Sequence, residues 1–291
     1  MPWSAASPSP PAWANVAHVN SWLPRRFWPR HLPVVVTVHH LVHEPAYAPY
    51  RSATQAAYHR SLIRPRELAA IRDAAAVTTV SDYVQGTVMD FAGRQDITTI
   101  HNWVDTSRFT PLAETARPSH VPFRLFIAGS ASRRKGIDLL PTFARALGDD
   151  FQVRYAGGNA ANCNGLGNVV LLGRISDEDM LKEFQHCDAV VSLSRYEGFG
   201  YTALEAMACG KPFLGFSGSA LTEVVPNDCG YLVPMEDVGA LAAACQRVRT
   251  DHQHSVQLGA HGREQAISRF SQQAALQSYL TTYCAALGTL R

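Results

Sequence analysis

The chain has 291 residues, 46% of them hydrophobic and 17% charged, with a formal net charge of +2 at pH 7. That composition suits one large or two modest packed α/β domains and excludes a disordered chain. So small a net charge gives no electrostatic reason to expect nucleic acid as a partner, and no run of about 18 uninterrupted apolar residues is present to cross a bilayer.

Taken in chain order, residues 1–12 have neither the basic start nor the apolar stretch of a secretion signal and read as a disordered leader. Strands are expected at Val16–Asn20, Val34–His39, Ala76–Ser81 and Ile97–His101, with a long helix over much of Ser52–Asp73. The polar, proline-bearing stretch Asn102–Ser119 reads as a linker between domains. The β/α rhythm then restarts. Phe123–Gly129 is a strand, followed by the basic, serine-rich turn Ser130–Gly136 and a helix that Asp138 would cap. Strands at Val153–Ala156 and Val169–Leu172 precede a helix opened by Ser176 with Asp179 in the capping-box position. Next come a strand at Asp188–Ser194, a helix at Thr202–Cys209 stopped by Gly210 and Pro212, and a strand at Phe213–Phe216. A short helix at Ala220–Val225, a strand at Tyr231–Val233 and helices at Asp237–Arg249 and Gln272–Leu287 close the chain. Alternation of this kind implies parallel sheets with crossover helices. None of the six cysteines has CxxC spacing, so they read as reduced thiols filling the core.

The chemistry concentrates at Glu197-Gly-Phe-Gly-Tyr-Thr-Ala-Leu-Glu205. Two carboxylates flank a glycine turn between a buried strand and a helix. Unpaired amides and the helix dipole make such a turn an anion site. Acids beside an anion site suit a ligand carrying both phosphate and hydroxyl groups, of which a nucleotide-sugar is the simplest. His39, His40 and His43 cluster in sequence, but Glu44 is the only carboxylate at useful spacing, so no metal site is expected.

Glu197-Gly-Phe-Gly-x4-Glu205-Ala-Met-Ala-x-Gly-Lys-Pro resembles the E-x7-E element of GT-B retaining glycosyltransferases of family 4, the glycosyl transferases group 1. Ile100-His-Asn-Trp-Val-Asp-Thr-Ser-Arg-Phe-Thr-Pro111 is similar to their interdomain segment, Lys135-Gly-Ile-Asp138 to their phosphate turn, and Val36-Thr-Val-His39 to the strand ending in an active-site histidine. Phe270-Ser271 before the last helix also fits. The resemblance implies an α/β, GT-B-like fold of two Rossmann-like parallel-sheet domains, the N-terminal one shortened. The leader would be residues 1–12, the acceptor-side domain 13–112 and the nucleotide-sugar domain 113–271. A C-terminal helix, 272–291, would pack back on the N-terminal domain.

By the same resemblance, Glu205 would bind the nucleotide ribose and Glu197 the donor-sugar hydroxyls. The amides of Gly198, Phe199 and Gly200 would line the diphosphate and sugar. Lys135, helped by Arg134, would neutralise the diphosphate, and His39 would face the sugar. The implied reaction retains anomeric configuration without an enzyme nucleophile, so Glu197 and Glu205 are not a glycosidase pair. The co-substrate would be a nucleoside-diphosphate-sugar and the acceptor a glycan or lipid-linked sugar of polysaccharide or lipopolysaccharide assembly. No metal, other cofactor or nucleic acid is expected, in a cytoplasmic protein. The Trp13, Trp22, Phe27 and Trp28 region, with Arg25, Arg26 and Arg30, suggests peripheral contact with the inner membrane surface. In one respect the sequence departs from the family pattern: Ser130 stands where an arginine follows the strand glycine. That substitution and the shortened front favour one alternative, a non-catalytic nucleotide-sugar-binding protein or fragment; a GT-B-type nucleotide-sugar epimerase is another.

Overall fold

The computed structural model describes residues 10–112 and 122–288. Most of the expected leader, and positions 113–119 of the expected linker, lie outside the described residues. Contacts divide the chain into two units, residues 1–102 with 273–291, and residues 103–272.

The first unit is built on a parallel sheet in the order β1 (Ala17–Asn20), β2 (Val34–Val38), β3 (Ala76–Thr79), β4 (Ile97–Thr99). All of β2, Val-Val-Val-Thr-Val, is buried, as a central parallel strand covered on both faces must be. The expected long helix is present in three pieces: α1 (Ala53–Tyr58), a π-helical turn at His59–Ile63, and α2 (Arg64–Asp73). Ser52 starts it with a full capping box to Gln55. Pro65 sits in the first turn of α2, where its missing N–H interrupts the α ladder and the wider turn precedes it. Helix α3 (Asp82–Ala92), capped by Ser81 and ended by Gly93 at φ 67°, was not anticipated from the sequence. In the same unit the last helix, Gln272–Gly288, places the Tyr283 hydroxyl 2.7 Å from His18 Nδ1.

The second unit carries β5 (Phe123–Gly129), α4 (Leu140–Leu147), β6 (Phe151–Gly157), β7 (Val169–Gly173), α5 (Asp177–His186), β8 (Ala189–Ser192) and α6 (Tyr201–Ala208). After these come β9 (Phe213–Phe216), α7 (Leu221–Val224), β10 (Gly230–Val233), α8 (Val238–Thr250) and α9 (His252–Arg269), with the last helix then α10. Its six strands are parallel, in the order β10-β9-β8-β5-β6-β7. Side chains alternate across the sheet with the strand period of two. Leu125, Ile127, Ala189, Val191, Leu214 and Phe216 join one core with α4 and α8. Phe126 points the other way, edge-on to Phe184 of α5 at 5.1 Å.

That strand order starts in the middle and builds outward in both directions, so it reverses between β5 and β8. At such a switch point the loops leaving neighbouring strands diverge and open a crevice at their carboxyl ends, where α/β sheets bind ligands. Here those loops are residues 130–139 and 193–200.

The divide between the units falls after Asn102, not after residue 112. Residues 103–111 are fastened to the second unit: Arg263 of α9 donates to the carbonyls of Thr106 (2.8 Å), Ala208 (2.6 Å) and Phe109, and Val104 bridges to Ser271. Asp138, expected as a helix cap, is not one. It lies in a 3-10 turn, Ile137–Leu139, and Leu139 occupies the N-cap position without a side-chain bond.

Candidate functional site

The loop after β5 is held close to the end of β8. Gly136 has φ 68°, and a Cβ there would stand 1.9 Å from the Leu193 carbonyl oxygen, so only glycine fits. The Arg195 amide donates to the Arg134 carbonyl at 2.9 Å. This backbone stitching fixes where Arg134 and Lys135 project.

Lys135 Nζ donates to the Glu197 carboxylate in an ion pair. Arg134 Nη1 donates to the Tyr196 carbonyl (3.0 Å) and lies 3.8 Å from Glu197 Oε2. All three side chains are half-buried. Arg133 is exposed, and Arg134 is thus the arginine of this loop that faces Glu197. Ser130, where the resembling family has arginine, is exposed and lies 3.4 Å from the Ser132 hydroxyl.

Glu197 is itself braced. Its amide donates to Ser219 Oγ at 2.9 Å, and its carbonyl accepts from the Ala220 amide at 3.2 Å. Phe199 buries its ring against Tyr201 and Phe270, each at 5.7 Å, which leaves its backbone as the part available to line a site. Gly200 is the N-cap of α6 at φ 109°, and a Cβ there would stand 2.7 Å from Leu221 Cδ2. The turn 197–200 therefore delivers the chain into the N-terminus of α6, where the helix dipole favours an anion.

Glu205 lies on α6 in different company. Burial pushes its carboxyl up to about 7; Arg108 opposes that shift and Asp177 reinforces it. Among the described residues its carboxylate has no hydrogen-bond or ion-pair partner. A half-buried acid without such a partner, its carboxyl pushed up by burial, is a candidate for a ligand-binding group. Lys135, Arg134 and Glu197 are thus in contact with one another, and Glu205 stands on the helix that their glycine turn begins.

His39 belongs to the first unit, just past β2. It is exposed, yet the protein around its ring lowers its pKa below 6.5. Among the described residues His39, His40 and His43 do not converge as ligands. The His43 ring lies 4.2 Å from that of Phe91, with Nδ1 3.2 Å from Glu67 Oε2, and the His40 ring lies 5.8 Å from Tyr47.

One residue that the sequence did not single out dominates the local geometry. Arg195 is buried, and its guanidinium donates from Nη1 and Nη2 to both Asp138 oxygens (2.6 and 2.8 Å), from Nε to Glu236 and from Nη1 to the Arg133 carbonyl. The bidentate bond from Arg195 holds the Asp138 carboxyl below its ordinary value, and Asp138 in turn raises that of the guanidinium. The sequence offered only an arginine two residues before Glu197 and an acid, Asp138, that was expected instead to cap a helix; their pairing needs the fold.

Comparison with known proteins fits this geometry. A family profile described as Glycosyl transferases group 1 matches residues 114–265, and one described as Glycosyltransferase Family 4 matches residues 12–108. A glycogen synthase of Mycobacterium tuberculosis is 29% identical over 207 residues, 67% of this chain and 50% of that protein. An MMP α-(1→4)-mannosyltransferase of Mycolicibacterium hassiacum is 34% identical over 111 residues, 38% of this chain and 27% of that protein. The chain thus spans half or less of these curated relatives. A solved sucrose-phosphate synthase of Thermosynechococcus elongatus superposes with a TM-score of 0.78 at 26% identity, over 91% of this chain and 72% of that one. The two parallel α/β units are those of GT-B glycosyltransferases. Because the group 1 profile covers more than half the chain and runs through every loop that frames Lys135 and Glu197, this protein belongs to the glycosyl transferases group 1 family.

Proposed function

We propose that the protein transfers a hexosyl group from a nucleoside-diphosphate-sugar to a glycan or lipid-linked acceptor, with retention of configuration, in polysaccharide or lipopolysaccharide assembly. The observation that carries this reading is the Lys135–Glu197 pair at the β5/β8 switch point, with Arg134 beside it and the start of α6 behind it. A diphosphate entering there displaces Glu197 from Lys135 and takes up the two cations. The freed carboxylate then accepts hydrogen bonds from sugar hydroxyls. Glu205, unpaired and half-buried, accepts from the ribose.

In the reaction the bond from the anomeric carbon to the β-phosphate oxygen breaks, and a bond to the acceptor oxygen forms on the same face. The acceptor proton passes to the departing phosphate, whose growing charge Lys135 and Arg134 stabilise. No metal is required, because two fixed cations already serve the diphosphate. His39 enters this proposal through the family resemblance alone. A hexosyl donor and a glycan acceptor are supported by the names of the two curated relatives.

For a lipid-linked acceptor, the front segment supports peripheral contact with a membrane surface. Trp13 is 77% exposed, and the Arg26 guanidinium stacks over Phe27 at 4.8 Å. No helix among the described residues is long and apolar enough to cross a membrane.

The test is a thermal-shift screen of UDP-, GDP-, dTDP- and ADP-sugars, followed by NMR of products formed with and without a glycan acceptor. A donor that raises the melting temperature and yields a new glycosidic bond with retained configuration supports the proposal. An altered nucleotide-sugar formed without acceptor identifies an epimerase, and binding with no turnover identifies a binder.

A further inference from the structure

We infer that Arg195 is a positioning residue that clamps the Arg134–Lys135 loop in the geometry that receives the donor diphosphate, with Asp138 and Glu236 as the jaws of the clamp. The inference rests on the donor-site reading above and adds to it a residue that makes no contact with ligand.

A side chain this buried is an expensive way to gain stability. Its side chain is 4% exposed, while those of its partners Asp138 and Glu236 are 47% and 52% exposed. Taking a guanidinium out of water costs about what such pairing returns, so the pairing is weak evidence for stability, and fixing one arrangement is the role assigned to it here. What this one fixes is plain from its partners. Asp138 and the Arg133 carbonyl bracket Arg134 and Lys135 from both sides. Arg195 itself stands two residues from Glu197, so one planar fork sets the distance between the loop carrying the cations and the loop carrying the acid. A lysine, with three donors on one nitrogen, could not make these four bonds at once.

Backbone strain points to the same place. The two described non-glycine residues with positive φ are Glu236 (63°) and Ser219 (47°). The first supplies a carboxylate to Arg195, and the second receives the Glu197 amide. Such conformations persist where surrounding structure over-determines them, and they gather at functional sites.

The experiment measures affinity by calorimetry for UDP, GDP, dTDP and ADP and for the matching monophosphates, in wild type, Asp138→Asn, Glu236→Gly and Arg195→Met, with melting temperature recorded in parallel. Glu236→Gly keeps a backbone that glycine adopts freely, so it folds even if Arg195→Met does not. The ratio of diphosphate to monophosphate affinity is expected to fall about tenfold in Asp138→Asn and Glu236→Gly, with the melting temperature of Glu236→Gly unchanged or raised. A clamp that serves only stability would lower the melting temperature and leave that ratio alone, and this result in folded Asp138→Asn and Glu236→Gly overturns the inference. Wild type binding none of the four diphosphates overturns the donor-site reading and the inference with it.

Discussion

Lys135 and Glu197 lie 62 residues apart in sequence, yet form an ion pair at the switch point of the second sheet. Each leaves a different one of the two central strands, and each is held by backbone it does not choose. Without ligand they satisfy one another. With a diphosphate-sugar they would divide the ligand between them, cation to phosphate and acid to sugar.

Lys135→Met is therefore expected to lower kcat/KM for transfer by about 10²-fold, the scale for losing one preorganised electrostatic contact. The pair is only half-buried, so the melting temperature should move little. Steady-state kinetics beside scanning calorimetry checks both halves. A large loss of stability with intact transfer would make the pair a structural one.

Glu205 gives a pH-dependent prediction whose sign is fixed. Its folded-state carboxyl titrates near 7 against an ordinary 4.5, so the fold favours the protonated form. Stability is then lost as pH rises from about 4.5 through 7, by at most about 3 kcal/mol. Glu205→Gln removes that cost. It should raise the melting temperature by a few degrees at pH 8, leave it unchanged at pH 5, and weaken donor binding at both. An equal effect at the two pH values would mean that the carboxyl is not buried in this way.

Gly136→Ala places a Cβ against the Leu193 carbonyl at a positive φ. It is expected to cost about 3 kcal/mol or more, since strain and clash add. Thermal unfolding reads this directly, and a neutral outcome would show that the loop is free to move away from β8.

Transfer is expected to persist in EDTA. Arg134 and Lys135 already place positive charge where a divalent ion would otherwise oppose the diphosphate. Activity that disappears in EDTA and returns with Mg²⁺ or Mn²⁺ would contradict this assignment.

Much of the fold is legible from the sequence because buried parallel strands are apolar runs: β2, β5, β8 and β9 lie within the expected Val34–His39, Phe123–Gly129, Asp188–Ser194 and Phe213–Phe216. Helix α9 is hidden for a physical reason. Its buried positions include Ser255, Gly259 and Gly262, and its contact with α6 depends on small residues. A Cβ on Gly259 would stand 2.1 Å from the Gly210 carbonyl oxygen, and one on Gly262 would stand 3.1 Å from Met207. A helix that packs through glycine shows no apolar stripe. Helix α3 does carry an apolar stripe, Val84, Val88 and Ala92 at helical spacing, but Gly86 within it weakens the helix signal. At the site, Glu197, Glu205, Lys135 and the glycine turn are visible as motif residues. Arg195 is not, because its role depends on Asp138 and Glu236, 57 and 41 residues away, which only the folded chain brings to it.

In the proposed reaction the donor nucleoside-diphosphate-sugar is held by Lys135, Glu197 and Glu205 of the second unit. The most direct test is isothermal titration of the donor chosen by the thermal screen into wild type and Glu205→Ala. Saturable one-to-one binding to wild type is expected, with a loss of about 1.5–3 kcal/mol, or roughly 10- to 150-fold, in the variant. Equal affinity in the two proteins, or no binding of any nucleotide-sugar by wild type, would contradict it.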